Sequence, residues 1–184
     1  TIEVVVRGAW SNPVDEGRLG VAWAGASRAR LAVWTHVDRM PNKEDLRDTT
    51  VHVFDGSTSL TAVTIPARQS LVRGVCFAGD GVLVIASIPF EVVYQTGDDP
   101  GNDEDSALRL QAFSCESAQP LNEGVKCKLR TSHPVKEVVL ASNPAKPLLI
   151  AFSYVSESDY GHIGVVDLAA RAELADAPTE FNVV

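Results

Sequence analysis

The feature that most restricts this chain is a recurrence of short strand-type runs, each closed by a turn signal, with almost no helical pattern between them. Runs rich in Val, Ile, Thr and aromatic residues, bounded by Gly, Pro, Asn or Asp, read as β-strands. In order they are Ile2–Val6, Gly20–Ala24, Leu31–Val37, Thr50–Phe54, Leu60–Ile65, Arg73–Phe77, Val82–Ile88, Ala107–Phe113, Val125–Leu129, Glu137–Ala141, Leu148–Tyr154 and Gly161–Val166. That is about one strand per 15 residues. Only Asn42–Asp48 and Leu168–Ala177 have helix-friendly composition, and the first is short and highly charged. Strands without interleaved helices exclude a parallel α/β sheet and leave a sandwich, a barrel or a propeller.

Internal repetition narrows the choice. Three segments share one plan of strand, turn, strand, loop and strand. The first runs through Gly20-Val-Ala-Trp-Ala, Leu31–Val37 and Val51-His-Val-Phe-Asp-Gly56. The second runs through Arg73-Gly-Val-Cys-Phe-Ala, Gly79-Asp-Gly81, Val82–Ile88 and Leu108–Phe113. The third runs through Val135–Ala141, Leu148–Tyr154 and His162–Leu168. Matching Trp23, Phe77 and Leu140 gives spacings of 54 and 63 residues, longer than the usual propeller period of about 40–45 because loops precede the third strand of a unit.

These residues carry a family resemblance. Val135-Lys-Glu-Val-Val-Leu-Ala-Ser-Asn-Pro-Ala-Lys-Pro-Leu-Leu-Ile-Ala-Phe-Ser153, followed by Ile163–Leu168, resembles a blade of the WD40-like β-propeller family. Val72–Gly81 is a second match, and Val51-His-Val-Phe-Asp55 resembles the third strand with its closing Trp-Asp rewritten as Phe-Asp. His133 stands where such repeats carry the His of a Gly-His pair, but Ser132 precedes it. The resemblance spans residues 18–175. It implies an all-β, β-propeller-like fold of antiparallel four-stranded blades, with a β-sandwich as the alternative. The whole chain, 1–184, then forms one domain with units at 18–66, 72–131 and 135–184. Propellers close with 4–8 blades, so three units imply ring completion by another chain or by blades lying elsewhere.

Composition limits the function. Hydrophobic residues make up 45% of the chain and charged residues 22%, the balance of a globular domain. No apolar run approaches the 18 residues of a membrane span, and Thr1–Trp10 lacks the order of a secretory signal. Three unpaired-looking cysteines, Cys76, Cys115 and Cys127, and the absence of any Asn-x-Ser/Thr triplet lead us to expect an intracellular setting, cytoplasmic or nuclear. A net charge of -8 disfavours nucleic acid and anionic membrane and favours a basic partner surface.

Catalytic and metal signatures do not emerge. The four histidines, His36, His52, His133 and His162, stand beside no Gly-x-Ser-x-Gly, and no His or Cys pair has metal-site spacing. No cofactor is expected. The candidate partner-binding residues lie in loops and near the start of the chain. Asp98, Asp99, Asp103, Glu104 and Asp105 crowd the acidic loop Gly97–Ser106, whose self-repulsion a cation or a basic peptide relieves. Arg39, Met40 and Lys43 lie in the mixed-charge loop Asp38–Asp48, and insertions on a rigid scaffold are where recognition is usually placed. Trp10 reads as a surface anchor, whereas Trp23 and Trp34, inside strands, read as core. The expected function is a non-enzymatic protein-interaction scaffold within an intracellular complex. The alternative is a regulatory or substrate-positioning propeller attached to a larger enzyme.

Overall fold

Side chains alternate sides along a strand, so a sheet packed on both faces must be apolar on both. The segment Val82–Ile88 (Val-Leu-Val-Ile-Ala-Ser-Ile) meets that condition, and the fold is arranged around it. The computed structural model describes residues 17–24, 30–37, 48–56, 58–66, 70–89, 107–129, 135–156 and 161–179. Among them are twelve strands and no helix.

The strands form three antiparallel four-stranded sheets, each from one continuous stretch of chain. The first sheet runs β1 (Gly17–Trp23), β2 (Arg30–Val37), β3 (Thr49–Asp55) and β4 (Thr58–Ile65). The middle sheet runs β5 (Ser70–Phe77), β6 (Val82–Pro89), β7 (Ala107–Ser114) and β8 (Val125–Lys128). The last sheet runs β9 (Val135–Asn143), β10 (Lys146–Ser156), β11 (Gly161–Asp167) and β12 (Ala172–Thr179). Strand order within each sheet follows the sequence. The architecture is all-β, as the alternating runs predict. Repeated four-stranded sheets are compatible with a propeller-like stack and with a sandwich.

The middle sheet is buried on both sides. Its rear face (Val72, Val75, Phe77, Leu83, Ile85, Phe113) meets Ala32, Trp34, Val51, Val53 and Val63 of the first sheet. Its forward face (Cys76, Val84, Ala86, Leu108, Leu110, Cys127) meets Val138, Ile150, Phe152, Tyr154 and Val166 of the last. At the first seam the buried Arg30 donates from Nη1 to the Asp80 carbonyl. Its Nε lies 3.5 Å from Asp55 and its Nη2 lies 3.8 Å from Glu116. At the second seam Ser142 Oγ donates to the Phe77 carbonyl at 2.9 Å, and Asn122 Nδ2 to the Leu168 carbonyl at 3.4 Å.

Register makes the three sheets equivalent position by position. Val21, Val75 and Val138 pair with Val33, Ile85 and Tyr154, while Trp23, Phe77 and Leu140 pair with Leu31, Leu83 and Phe152. The next partners outward are Phe54, Phe113 and Gly164. In two sheets a Leu therefore faces a Phe, and in the third a Phe faces a glycine. Volume moves across the ladder while the row stays full. A Cβ added at Gly164 would stand 2.3 Å from the Phe152 ring.

One sequence reading needs correcting. The stretch Leu168–Ala177 has helix-friendly composition, but Ala172–Thr179 is the outer strand β12, paired with β11 from Gly161↔Thr179 to Asp167↔Ala172. The free edge of β11 supplies backbone partners, and tertiary context of this kind overrides a weak propensity of tenths of a kcal/mol per residue. The expected strand Ile2–Val6, His133 and the loops Gly97–Ser106 and Asp38–Arg47 lie outside the described residues.

Replacing Gly164 by Val should destabilise the chain by about 1–3 kcal/mol, the usual cost of overpacking. Adding Phe152→Leu should recover part of that loss, because it recreates the Leu-large pairing of the other sheets. Denaturant melts of both single variants and the double variant measure this. Strict additivity would show that the two positions do not share one volume.

Candidate functional site

The first strand of each sheet, β1, β5 and β9, is an edge strand of that sheet. The three lie side by side without a hydrogen-bonded ladder joining them, with β5 in contact with both of the others. Every residue of β5 is buried. The space left between β1 and β9, with β5 as its floor, is an open cleft of about 600 Å³. Its lining includes Val21, Trp23 and Trp34 on one wall, Arg73–Phe77 on the floor, and Glu137–Ser142 on the other wall. The volume lies within the range of ordinary ligand sites, about 300–1,000 Å³.

Three of the most exposed large apolar side chains stand on those walls: Val21 (51%), Trp23 (52%) and Val139 (59%). Each follows from the stacking. Trp23 belongs to the rear face of the first sheet, which has no described sheet behind it. Val139 belongs to the forward face of the last sheet, which has none in front. Val139 continues into a cross-strand row through Ser153 to Ile163, itself 44% exposed. The neighbouring row holds Ala141, Ala151, Val165 and Ala175, of which all but Val165 are exposed.

Trp23 therefore corrects the reading of it as core. Trp34, read the same way, is buried, its ring lying over Gly20, where a Cβ would stand 2.1 Å from it. The other partner-binding candidates, Trp10, Arg39, Met40, Lys43, Asp98, Asp99, Asp103, Glu104 and Asp105, all lie outside the described residues. The structure brings together instead Val21, Trp23, Glu137 and Val139, none of them proposed from sequence as a binding residue. A signal was present, since alternation in a strand whose sheet ends the stack must leave one apolar row uncovered.

The chemistry of the described nucleophile candidates is quiet. Cys76, Cys115 and Cys127 are buried and unpaired. Burial pushes the Cys76 thiol from the ordinary 9.0 up to about 12. Burial also raises Cys115, against the opposing pull of the Arg30 guanidinium beside it. An activated thiolate needs the opposite shift. His162 is buried with its ring stacked on Tyr154, centroids 5.2 Å apart and planes 18° apart. No described helix is long and apolar enough to cross a membrane. The chain matches no protein-family model and no curated protein.

At neutral pH, none of the three cysteines should react with a thiol-exchange reagent while the chain is folded, and all three should react once it is unfolded in guanidinium. Absorbance titration with and without denaturant measures this. Because the Cys76 thiol is raised by folding, its contribution to stability is complete below about pH 9 and is lost as pH climbs toward 12. Rapid labelling of the native chain at neutral pH would show that the seams around the middle sheet open.

Proposed function

We propose that this chain is a non-catalytic protein-binding module, a propeller-like scaffold of the WD40 type working within an intracellular assembly. The observation that carries this reading is the apolar surface left uncovered at the two ends of the stack. Val21 and Trp23 mark one end, and Val139, Ile163 and their alanine-lined row mark the other. Monomeric domains seldom expose contiguous apolar area beyond a few hundred Å² unless it is used. Burying such side chains against a partner returns roughly 25 cal/mol for each Å² removed from water. A net charge of -8 supports a partner with a basic surface and speeds its approach. The raised thiols and the stacked His162 give no support to a nucleophilic site.

The test is affinity capture from cell extract with the wild-type chain beside a Val139→Asp/Ile163→Asp variant. Both substitutions fall on exposed positions, so the thermal melt should stay within a few degrees. The wild type should retain a partner in near-stoichiometric amount. The variant should bind it at least ~30-fold more weakly, the loss expected for interface residues worth 2 kcal/mol or more. Retention of the same proteins by both chains would show that this face is not the binding surface. Specific retention by neither would remove the scaffold reading.

A further inference from the structure

The cleft contains a repeat-equivalent position at which the last sheet departs from the other two. One residue before Val21, Val75 and Val138 stand Gly20, Gly74 and Glu137. On β5 the glycine is a packing requirement: a Cβ at Gly74 would stand 2.1 Å from the Val138 carbonyl oxygen, so the β5 and β9 backbones meet there. On β1 the space beside Gly20 is filled by the Trp34 ring. On β9 the same position holds an exposed glutamate that lines the cleft and forms no ion pair with another described residue.

Glu137 changes what this side of β9 accepts. A fourth sheet packed as β9 packs on β5 would bring backbone to within contact of this position, onto a carboxylate. The glycine contact that closes the second seam is not repeated here, and the remaining space is a groove. A groove of this shape suits an extended segment, whose alternate side chains give specificity. Glu137, Val139 and Ala141 share one side of β9 at about 6.6–6.8 Å intervals, twice the rise per residue of a strand. Trp23, with half its surface exposed, faces the same space.

We propose that this cleft receives an extended segment of a partner protein, laid against the exposed side of β9. The segment places Lys or Arg beside Glu137 and apolar side chains beside Val139 and Ala141, with Trp23 packing over them. The partner chemistry is thus a basic-apolar alternating peptide, with a charged residue two positions from the first apolar one. This rests on the protein-binding reading and gives it a site.

The experiment selects twelve-residue peptides from a random display library on the immobilised 184-residue chain. The peptide recovered most often is then titrated by tryptophan fluorescence against the wild type and three variants. The recovered peptides should share the basic-x-apolar-x-apolar pattern. Glu137→Gln should weaken binding about 2- to 5-fold at low salt and remove most of its salt dependence, the scale of an exposed charge pair. Trp23→Ala should weaken it ~10-fold or more and reduce the fluorescence change, and Leu121→Asp, at an exposed position outside the cleft, should leave it unaltered. Peptides without the pattern, or an affinity indifferent to Glu137→Gln and Trp23→Ala, would overturn the proposal. So would sedimentation of the free chain as a dimer that Val139→Asp dissociates, since a whole sheet would then fill the space. If a partner is captured from extract but binds Glu137→Gln and Trp23→Ala chains undiminished, the scaffold reading stands and only the cleft falls.

Discussion

Burial of the middle sheet on both faces is the constraint from which the rest of this structure follows. Leu83 and Ile85 point into one seam and Val84 and Ala86 into the other, and all four are essentially inaccessible to solvent. Neither outer sheet has such a strand with two described apolar partners. Each outer sheet owes its position to the middle one, and each keeps apolar side chains in solvent on its other face, Val21 and Trp23 on the first and Val139 and Ile163 on the last. The exposed rows, the cleft and the asymmetry between strand faces are consequences of a stack of three in which only the central member is enclosed.

The two seams are fastened by different chemistry. Arg30 holds the first with a buried guanidinium whose carboxylate partners, Asp55 and Glu116, remain in reach of solvent. Replacing buried ionic groups by apolar ones is often neutral or stabilising, so Arg30 is better understood as fixing how β2 meets the turns of the middle sheet than as a large source of stability. The second seam uses neutral donors, Ser142 and Asn122, on backbone carbonyls, with the exposed ion pair Arg171–Glu123 at 3.4 Å on its surface. Asn122 also accepts from Ala112 and Gly124 through Oδ1, tying its own loop before it reaches across to Leu168.

Much of this was legible in the sequence because the strands carry their environment in their alternation. Val82–Ile88 is apolar on both sides and is enclosed, whereas Thr50–Phe54 alternates and is only half covered. β12 was not legible, since Ala-Glu-Leu-Ala-Asp-Ala is a good local helix and only the free edge of β11 makes it a strand. Trp23 was misjudged because a strand position says nothing of which sheet lies opposite. The site shows the same limit. Aligning Trp23, Phe77 and Leu140 already places Gly20, Gly74 and Glu137 in one column. What the column cannot say is that Gly74 touches a carbonyl across the seam, and that contact is what gives the glutamate its meaning.

The sheets also differ in when they are finished. Each is built from one uninterrupted stretch, so its own hydrogen bonds form between near neighbours and its ladder closes early. Its partner face does not yet exist. At synthesis rates of about 5–20 residues per second, the first sheet waits ~3–13 seconds after Ile65 for Lys128 to complete the surface on which Val51, Val53 and Trp34 will pack. The fold therefore has a period in its own assembly when the forward face of the first sheet, apolar and complete, has no middle sheet to pack on. The polar strand β4, with Thr58, Ser59, Thr61 and Thr64 along the edge farthest from β1, is the part of that sheet presented to other strands while it waits.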